Sequence, residues 1–309
     1  MGFIERKHLV IITVTLLICT GIVFAGPYAP PAGEPNSTAI YMDDPNFVAW
    51  ATGITVQRGY VEVNDPSKGY VSYGEPENAL GKAEGDIYSV VSLGDGGVAT
   101  LTFEHPVTDG PGYDFAVFEN AWNDTFLELA FVEVSSDGNN FFRFNSVSLT
   151  PTNTQVGSFG ALDTTNLHNL AGKYCAGYGT PFDLQELKDV NSLLDVNSIT
   201  HVRIIDVVGH VQPADFSGDG IVNFTDYSIL AAAYLSKPND ENWNQDCDIA
   251  QPADNIIDML DLERFVDEWL SNYASYDSQG HQINDPWPTP FYTGGFDLDA
   301  VGIIHQKQQ

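Results

Sequence analysis

Between residues 215 and 226 oxygen donors recur at close spacing: Asp215, Ser217, Asp219, Asn223 and Asp226, with Gly220 among them. Ca2+ takes six to eight oxygen ligands, and a twelve-residue loop supplies them from positions 1, 3, 5, 7, 9 and 12. Counting from Asp215 puts Asp215, Ser217, Asp219, the backbone carbonyl of Ile221, Asn223 and Asp226 at those positions. Gly220 falls at position 6, where the sharp turn needs a permissive backbone. The twelfth residue is Asp where the general calcium loop has Glu, so the start of a helix must carry the shorter carboxylate inward. A lone D-x-S-x-D-G would be explained as well by a turn capping a helix. A donor at every side-chain position, then an apolar run with helical spacing, points to Ca2+ instead.

The unit is duplicated. "DGIVNFTDYSILAAAYL" aligns with "DNIIDMLDLERFVDEWL", pairing Asp219 with Asp254, Asn223 with Asp258 and Asp226 with Asp261. The apolar pairs Tyr227/Leu262, Leu230/Phe265, Tyr234/Trp269 and Leu235/Leu270 recur at i, i+3 and i+7 or i+8, one face of a helix. In this second copy Asp246 and Asp248 suit positions 1 and 3. The residues "AQPA" are then extra before Asp254 at position 5, and Asp258 and Asp261 take positions 9 and 12. Asn255 replaces the turn glycine and tolerates the same left-handed backbone.

Other carboxylates could serve glycoside hydrolysis, which needs two of them facing each other across a bond. The candidates are Asp114, Glu119, Glu128, Glu133, Asp206, Asp297 and Asp299. In "DFAVFEN", Phe115, Val117 and Glu119 share one strand face, and Asp114, Ala116, Phe118 and Asn120 the other. An acid at such a strand end, beside Asn120 and Trp122, could line a sugar site. With 42 acidic residues in the chain, solvated strand-end acids explain the same pattern. The sequence holds no G-x-S-x-G, no H-E-x-x-H, and no Walker or dinucleotide pattern. "GDGG" at 94–97 lacks the helix that would make it a phosphate cradle. No catalytic residues follow from the sequence.

The elements that must position these groups are mostly strands. "GVATLTFEHP", "YDFAVFEN", "LELAFVEVSSDG", "NFFRFNSVSL", "THVRIIDVVG" and "GGFDLDAVGII" are short apolar alternations bounded by Gly, Asp, Asn and Pro. "SSDG" at 135–138 is a hairpin signal. Helical patterning is nearly absent before residue 210, apart from "PFDLQELKDVNSLL". The spacing predicts a mainly β fold: a β-sandwich of jelly-roll type spanning 46–213 and 275–309, with a small α-helical calcium unit inserted at 214–274. Insertions of this kind succeed at exposed loops whose ends lie close together. Residues 26–45 are Pro-rich and read as a leader with little structure.

Residues 1–25 read as a secretory signal peptide: Arg6 and Lys7, an apolar run to Phe24, and small residues at Val23 and Ala25. Cleavage there would remove two basic residues and one acidic one, taking the net charge from −30 to about −31. Such a surface repels nucleic acid and anionic lipid and favours cations. Cys175 and Cys247 remain after cleavage, and either a single disulfide or two buried thiols fits that count. "IIHQKQQ" shows no apolar anchor or sorting signal.

The paired loops resemble type I dockerin modules over residues 214–272. The resemblance implies Ca2+ as the bound ion and a cohesin-like scaffold protein as a partner. In that family a Ser/Thr pair at loop positions 10 and 11 commonly makes that contact; here those positions depart from the pair and hold Phe224 and Thr225, then Met259 and Leu260. The stretches "DGPGYDFAVFENAW", "LELAFVEVSSDGNNFFRF" and "GGFDLDAVGII" resemble bacterial exported surface proteins. "VEVSSDGNNFFRF" is similar to strands of galactose-binding-like sandwiches, many of which bind carbohydrate. The expectation is a secreted or cell-surface protein, without a membrane span after signal cleavage and non-catalytic, that binds calcium and attaches to a glycan or a protein partner. Two alternatives stand beside it: a secreted glycoside hydrolase carrying a dockerin, and a structural surface protein braced by calcium.

Overall fold

The computed structural model describes residues 26–250 and 252–307; the signal-peptide expectation lies outside the described residues. Among the described residues the chain is mainly β, with two α-helices, and every strand pairing is antiparallel. One sheet runs β1 (Ile40–Tyr41), β11 (Tyr178–Phe182), β6 (Phe115–Glu119), β13 (Asp297–Ile303), β2 (Ala49–Trp50), with β4 (Val91–Ser92) also on β13. The other runs β3 (Gly53–Gln57), β5 (Val98–Val107), β12 (Ile199–Asp206), β7 (Ala130–Ser135), β8 (Phe142–Arg143). A small ribbon pairs β9 (Val147–Ser148) with β10 (Leu167–His168).

Alternation explains how the layers meet. Phe115 and Val117 of β6, Phe182 of β11 and Val301 and Ile303 of β13 enter one core cluster. Leu101 of β5, Val132 and Val134 of β7, and Val202 and Ile204 of β12 enter the same cluster from the second sheet. Two sheets sharing one core fit a β-sandwich. The opposite face of the first sheet is covered as well: Ala116, Phe118 and Ala300 pack beneath Met42, Phe47 and Trp50. Covered on both faces, β6 and β13 bury every residue.

Part of that cover, Met42, comes from residues 26–45, the segment read as a leader with little structure. It is tied down instead. Gly26 and Tyr28 donate backbone N–H groups to Thr165, Tyr28 stacks on His168 at 4.9 Å, and β1 pairs with β11. Thr38 and Tyr174 share a 2.8 Å hydroxyl hydrogen bond. Proline-rich composition marks chain without its own hydrogen-bond ladder, and here the neighbouring strand and side chains supply the partners. "PFDLQELKDVNSLL" forms the end of β11 and one 3-10 turn, Leu184–Leu187, capped by the Asp183 side chain.

The chain leaves the second sheet after β12, forms α1 (Phe224–Ala233) and α2 (Met259–Asp267), and returns as β13 in the interior of the first sheet. Val301 stands opposite Val117 and Gly302 opposite Ala116. The helical segment has its own apolar cluster around Val222, Leu230, Ile257 and Phe265. Among the described residues no helix is long and apolar enough to cross a membrane. Among the described residues both cysteines are unpaired; Cys247 is buried in the helical cluster and Cys175 is partly exposed.

Because β13 is interior, ending the chain near residue 273 should yield insoluble or molten protein. Replacing 214–274 by a short Gly/Ser linker should leave a cooperative β transition. Ile303→Ala, in the shared core, should cost about 2–5 kcal/mol in denaturant unfolding. A soluble, cooperatively melting truncation product would show that β13 is dispensable.

Candidate metal centre and a carboxyl-floored cavity

Loop one is built around two buried carboxylates. Asp215 Oδ1 accepts from the N–H groups of Gly218 (3.0 Å) and Asp219 (3.2 Å), and Oδ2 from Gly220 (3.0 Å). Asp226, fully buried in the first turn of α1, accepts from the Ser217 and Asn223 N–H groups at 2.8 and 2.9 Å. The second of these completes a capping box in which Asn223 Oδ1 accepts from the Thr225 N–H at 2.8 Å. Gly218 and Gly220 both have positive φ, 70° and 86°. Each Asp215, Asp219 and Asp226 offers a carboxylate oxygen within 4.8 Å of the other two.

That donor set suits Ca2+. Three carboxylates converge, the Ser217 hydroxyl lies 3.4 Å from Asp215 Oδ1, and Asn223 Nδ2 reaches the Ile221 carbonyl at 2.9 Å. Asn223 Oδ1 is engaged at the helix cap, which suits a ninth position that often acts through water. Asp215, Asp219, Asp226, Ser217 and the Ile221 carbonyl would hold the ion.

Loop two has the same hydrogen bonds in a different register from the one read in the sequence. Asn255, at φ 64°, donates to Asp248 Oδ2 at 3.1 Å as Gly220 does to Asp215 Oδ2. Ile256 donates to Asp254 as Ile221 does to Asp219, both at 3.0 Å. Asp261 accepts from Ala250 and Asp258 at 2.9 and 2.8 Å as Asp226 does from Ser217 and Asn223. Asp248 therefore matches Asp215, and Ala250 matches Ser217. Buried Cys247 matches buried Ala214, and Ile249 matches Phe216 in the shared cluster. The insertion is two residues rather than four, and Asp246 lies outside the loop on a 3-10 turn. Spacing alone favoured the D-x-D pair at 246 and 248; the burial of residue 247 decides against it. Position 3 is then an alanine without a donor, while Asp248 Oδ1 is buried with no hydrogen-bond partner. Asp248, Asp254, Asp258 and Asp261 do not meet the 4.8 Å convergence of loop one.

The loops and helices exchange backbone hydrogen bonds symmetrically. Leu235 donates to the Ile257 carbonyl and Ile257 to that of Ser236; Leu270 donates to the Val222 carbonyl and Val222 to that of Ser271. Leu235 and Leu270, expected on the buried helix face, follow the helices at φ 62° and 64° and are exposed. The left-handed turn swings each off the face that Leu230 and Phe265 occupy.

The seven strand-end acids separate by their partners. Asp114 accepts from Gly110, Leu184 and the His305 ring at 2.7–2.8 Å. Asp206 accepts from Gly96 and Phe296, and Asp299 from Glu84 and Gly85. Glu133 bridges Arg143 and Arg203 on the outer face of its sheet. Glu119 accepts from the Ala121 N–H at 2.8 Å. Only Glu128 and Asp297 line a cavity, of about 280 Å³, walled by Tyr73, Tyr88, Trp122, Phe126, Phe159 and Phe291. Trp122 and Asn120 were legible as neighbours of a strand end. The remaining walls come from distant loops that no local pattern joins.

Burial raises the carboxyls of Asp95 and Asp299 to about 6 and of Asp297 and Glu268 to about 7. Glu119, Glu128, Asp206 and Asp285 are raised well above the carboxyl range, first by burial and then, for all of them, by neighbouring acids. No protein-family model, curated protein or solved structure matches the chain.

Two outcomes follow. Asp215→Ala with Asp226→Ala should remove one bound Ca2+ in calorimetric titration, and Asp246→Ala should leave the titration unchanged while Asp248→Ala weakens its second phase. A second phase lost with Asp246 rather than Asp248 would restore the four-residue insertion. The raised carboxyls hold their protons more tightly folded than unfolded. Their contribution is complete below the unfolded carboxyl range and is lost as pH rises through the folded values. The melting temperature of calcium-free protein should therefore fall between about pH 5 and pH 8. A rise over that interval would show that these acids are ionised in the fold.

Proposed function

We propose that the protein is an exported, non-catalytic binding protein of the cell surface or extracellular space whose paired loops bind Ca2+ as dockerin modules do. The observation that carries this reading is the convergence of Asp215, Asp219 and Asp226 at the start of α1, in a loop whose turn and cap match a calcium site position by position. Duplication with symmetric backbone exchange supports a paired module. The sandwich would be the recognition part, of jelly-roll or galactose-binding-like type, and a cohesin-like protein or a surface glycan its class of partner. Phe224, Met259 and Leu260, at the tenth and eleventh positions, are 76%, 55% and 52% exposed, which supports a protein partner at the loops.

A second reading, calcium as a brace for the whole fold, is favoured by one contact. Tyr276, just beyond the helices, donates its hydroxyl to Asp215 Oδ2 at 2.8 Å. The stretch after it belongs to the sandwich side: Ser275 and Val208 exchange hydrogen bonds, and Gln282 bonds Gln212. His210 packs between Tyr273 and Trp287 at 5.1 and 4.2 Å, and burial pushes its ring down to about 4, so the junction holds a neutral imidazole. An ion on Asp215 would thus be one side chain away from the sandwich.

Ligand binding stabilises a fold by RT ln(1 + [L]/Kd), about 2.7 kcal/mol at a hundredfold excess over Kd. Millimolar Ca2+ should raise the melting temperature of both the helical and the sheet signals in circular dichroism. Tyr276→Phe should keep the bound ion and shrink the sheet shift. A sheet transition insensitive to Ca2+ would reject the brace and leave an independent attachment unit; no bound Ca2+ would reject the whole reading.

A further inference from the structure

The cavity with Glu128 and Asp297 on its floor is separate from the calcium loops. Its walls form a chain of rings: Trp122 meets Phe126 at 5.2 Å, Phe126 meets Phe159 at 6.0 Å, and Phe159 meets Phe291 at 5.7 Å. Trp122 is 60% exposed and Phe159 66%. Contiguous bare aromatic surface of this kind is costly in water and marks a recognition site.

The polar groups of the floor are matched unevenly. Glu128 is 8% exposed and lines the cavity, yet no donor among the described residues reaches its carboxyl. Asp297 accepts from the Ser92 hydroxyl and from Asn120 Nδ2. Several of the donors nearby are already committed. The Tyr73 hydroxyl serves the Tyr88 carbonyl, the Ser158 hydroxyl the Pro288 carbonyl, and Asn120 Nδ2 the Ile87 carbonyl as well as Asp297. No Lys, Arg or His lines the cavity. What faces a ligand is therefore a pair of carboxyls with no cationic partner on the lining, inside an aromatic wall.

We propose that this cavity binds a primary ammonium group, with Glu128 and Asp297 as its counter-charges and the aromatic rings around its alkyl or sugar stem. An ammonium carries three donors and no acceptor, the complement of this floor. Ring faces attract a cation, more strongly where water is excluded. An anion would meet two carboxyls and no cation, and a neutral polyol would bring no charge to balance them. The chain's charge of −30 also concentrates cations at its surface.

Protonation supports the same assignment. Burial first, and then the neighbouring Asp297, Glu119, Asp285 and Asp206, raise the Glu128 carboxyl well above its usual range. Arg58 opposes this only at Asp297, and Tyr73 and Tyr88 close the same side of the cavity. A bound ammonium takes the place of a carboxyl proton, which leaves to solvent. Where one proton is released per ligand, affinity rises about tenfold per pH unit.

The experiment is calorimetric titration of the calcium-loaded full chain at about 0.15 M salt, which screens diffuse surface attraction. Probes are 1,5-diaminopentane and glucosamine, with glucose and N-acetylglucosamine as uncharged counterparts. The amines should bind and the uncharged sugars should not. Diaminopentane alone would assign the site to free alkylamines and glucosamine alone to amino sugars; both outcomes support the proposal. Glu128→Gln should weaken amine binding about tenfold or more, as expected for losing a charged hydrogen-bond partner. Trp122→Ala, at an exposed ring, should weaken it without altering the melting curve. Diaminopentane, charged like a lysine throughout, should bind more tightly as pH rises from about 6 to 8. Three results would overturn the proposal: uncharged sugars binding as tightly as glucosamine, amine affinity unchanged in both variants, or no heat from either amine.

Discussion

The pairing of β13 with β6 is the contact on which the rest of this molecule depends. Five register pairs tie residues 298–303 to residues 115–119, and both strands are buried on both faces. The first sheet stays open at its centre until the chain has passed through both acidic loops and their helices and returned. That return fixes the ends of the intervening segment side by side, through Val208 and Ser275 and through Gln212 and Gln282. It also delivers Asp297 to the cavity floor and Asp299 to the backbone of Glu84 and Gly85. The cavity could not exist on a chain that stopped before this strand.

An acidic chain with 42 carboxylates and 12 basic residues cannot pair all of its buried acids with cations, as it does Glu133 with Arg143 and Arg203. It uses backbone N–H groups instead. Asp114, Asp206, Asp285 and Asp299 each accept from loop amides that would otherwise be buried without a partner. Burying such carboxyls raises their proton affinity, and clustering them raises it further. The exception is Glu128, which serves no loop. A carboxyl that clasps nothing and faces an aromatic cavity is a cost to folding, and a ligand is what would offset it.

How much of this could be read from the sequence depends on whether the signal was local. The alternation in "YDFAVFEN" and "GGFDLDAVGII" marks β6 and β13, because side chains switch faces at every residue. Loop one is local too, twelve residues with the donors in order. Loop two misleads because the eye anchors on Asp246 and Asp248, whereas the frame is set by Cys247 and Ile249 entering the apolar cluster beside Ala214 and Phe216. Residues 26–45 look structureless because their order comes from β11, Thr165 and Tyr174, well over a hundred residues away. The cavity is the least local feature. Tyr73, Trp122, Phe159, Phe291 and Asp297 meet only after both sheets and their loops have closed.

Duplication gave the helical segment two loops with matching turns, caps and backbone exchange, yet the copies have diverged in what they touch. Loop one keeps a compact turn, a full donor set and the Tyr276 hydroxyl on its first carboxylate. Loop two has two extra residues, an alanine at its third position and a first carboxylate with one buried, unpartnered oxygen. The hydrogen bonds between Val222 and the end of α2, and between Ile257 and the end of α1, make each loop's backbone part of the other helix's terminus. Ordering loop one therefore orders the turn after α2, and the polypeptide from that turn runs through Ser271 and Tyr273 to Tyr276. The loop with the better donor set is also the loop nearest the sandwich along this path. Symmetry holds the pair together, and the asymmetry of its ligands gives its connection to the rest of the fold a direction.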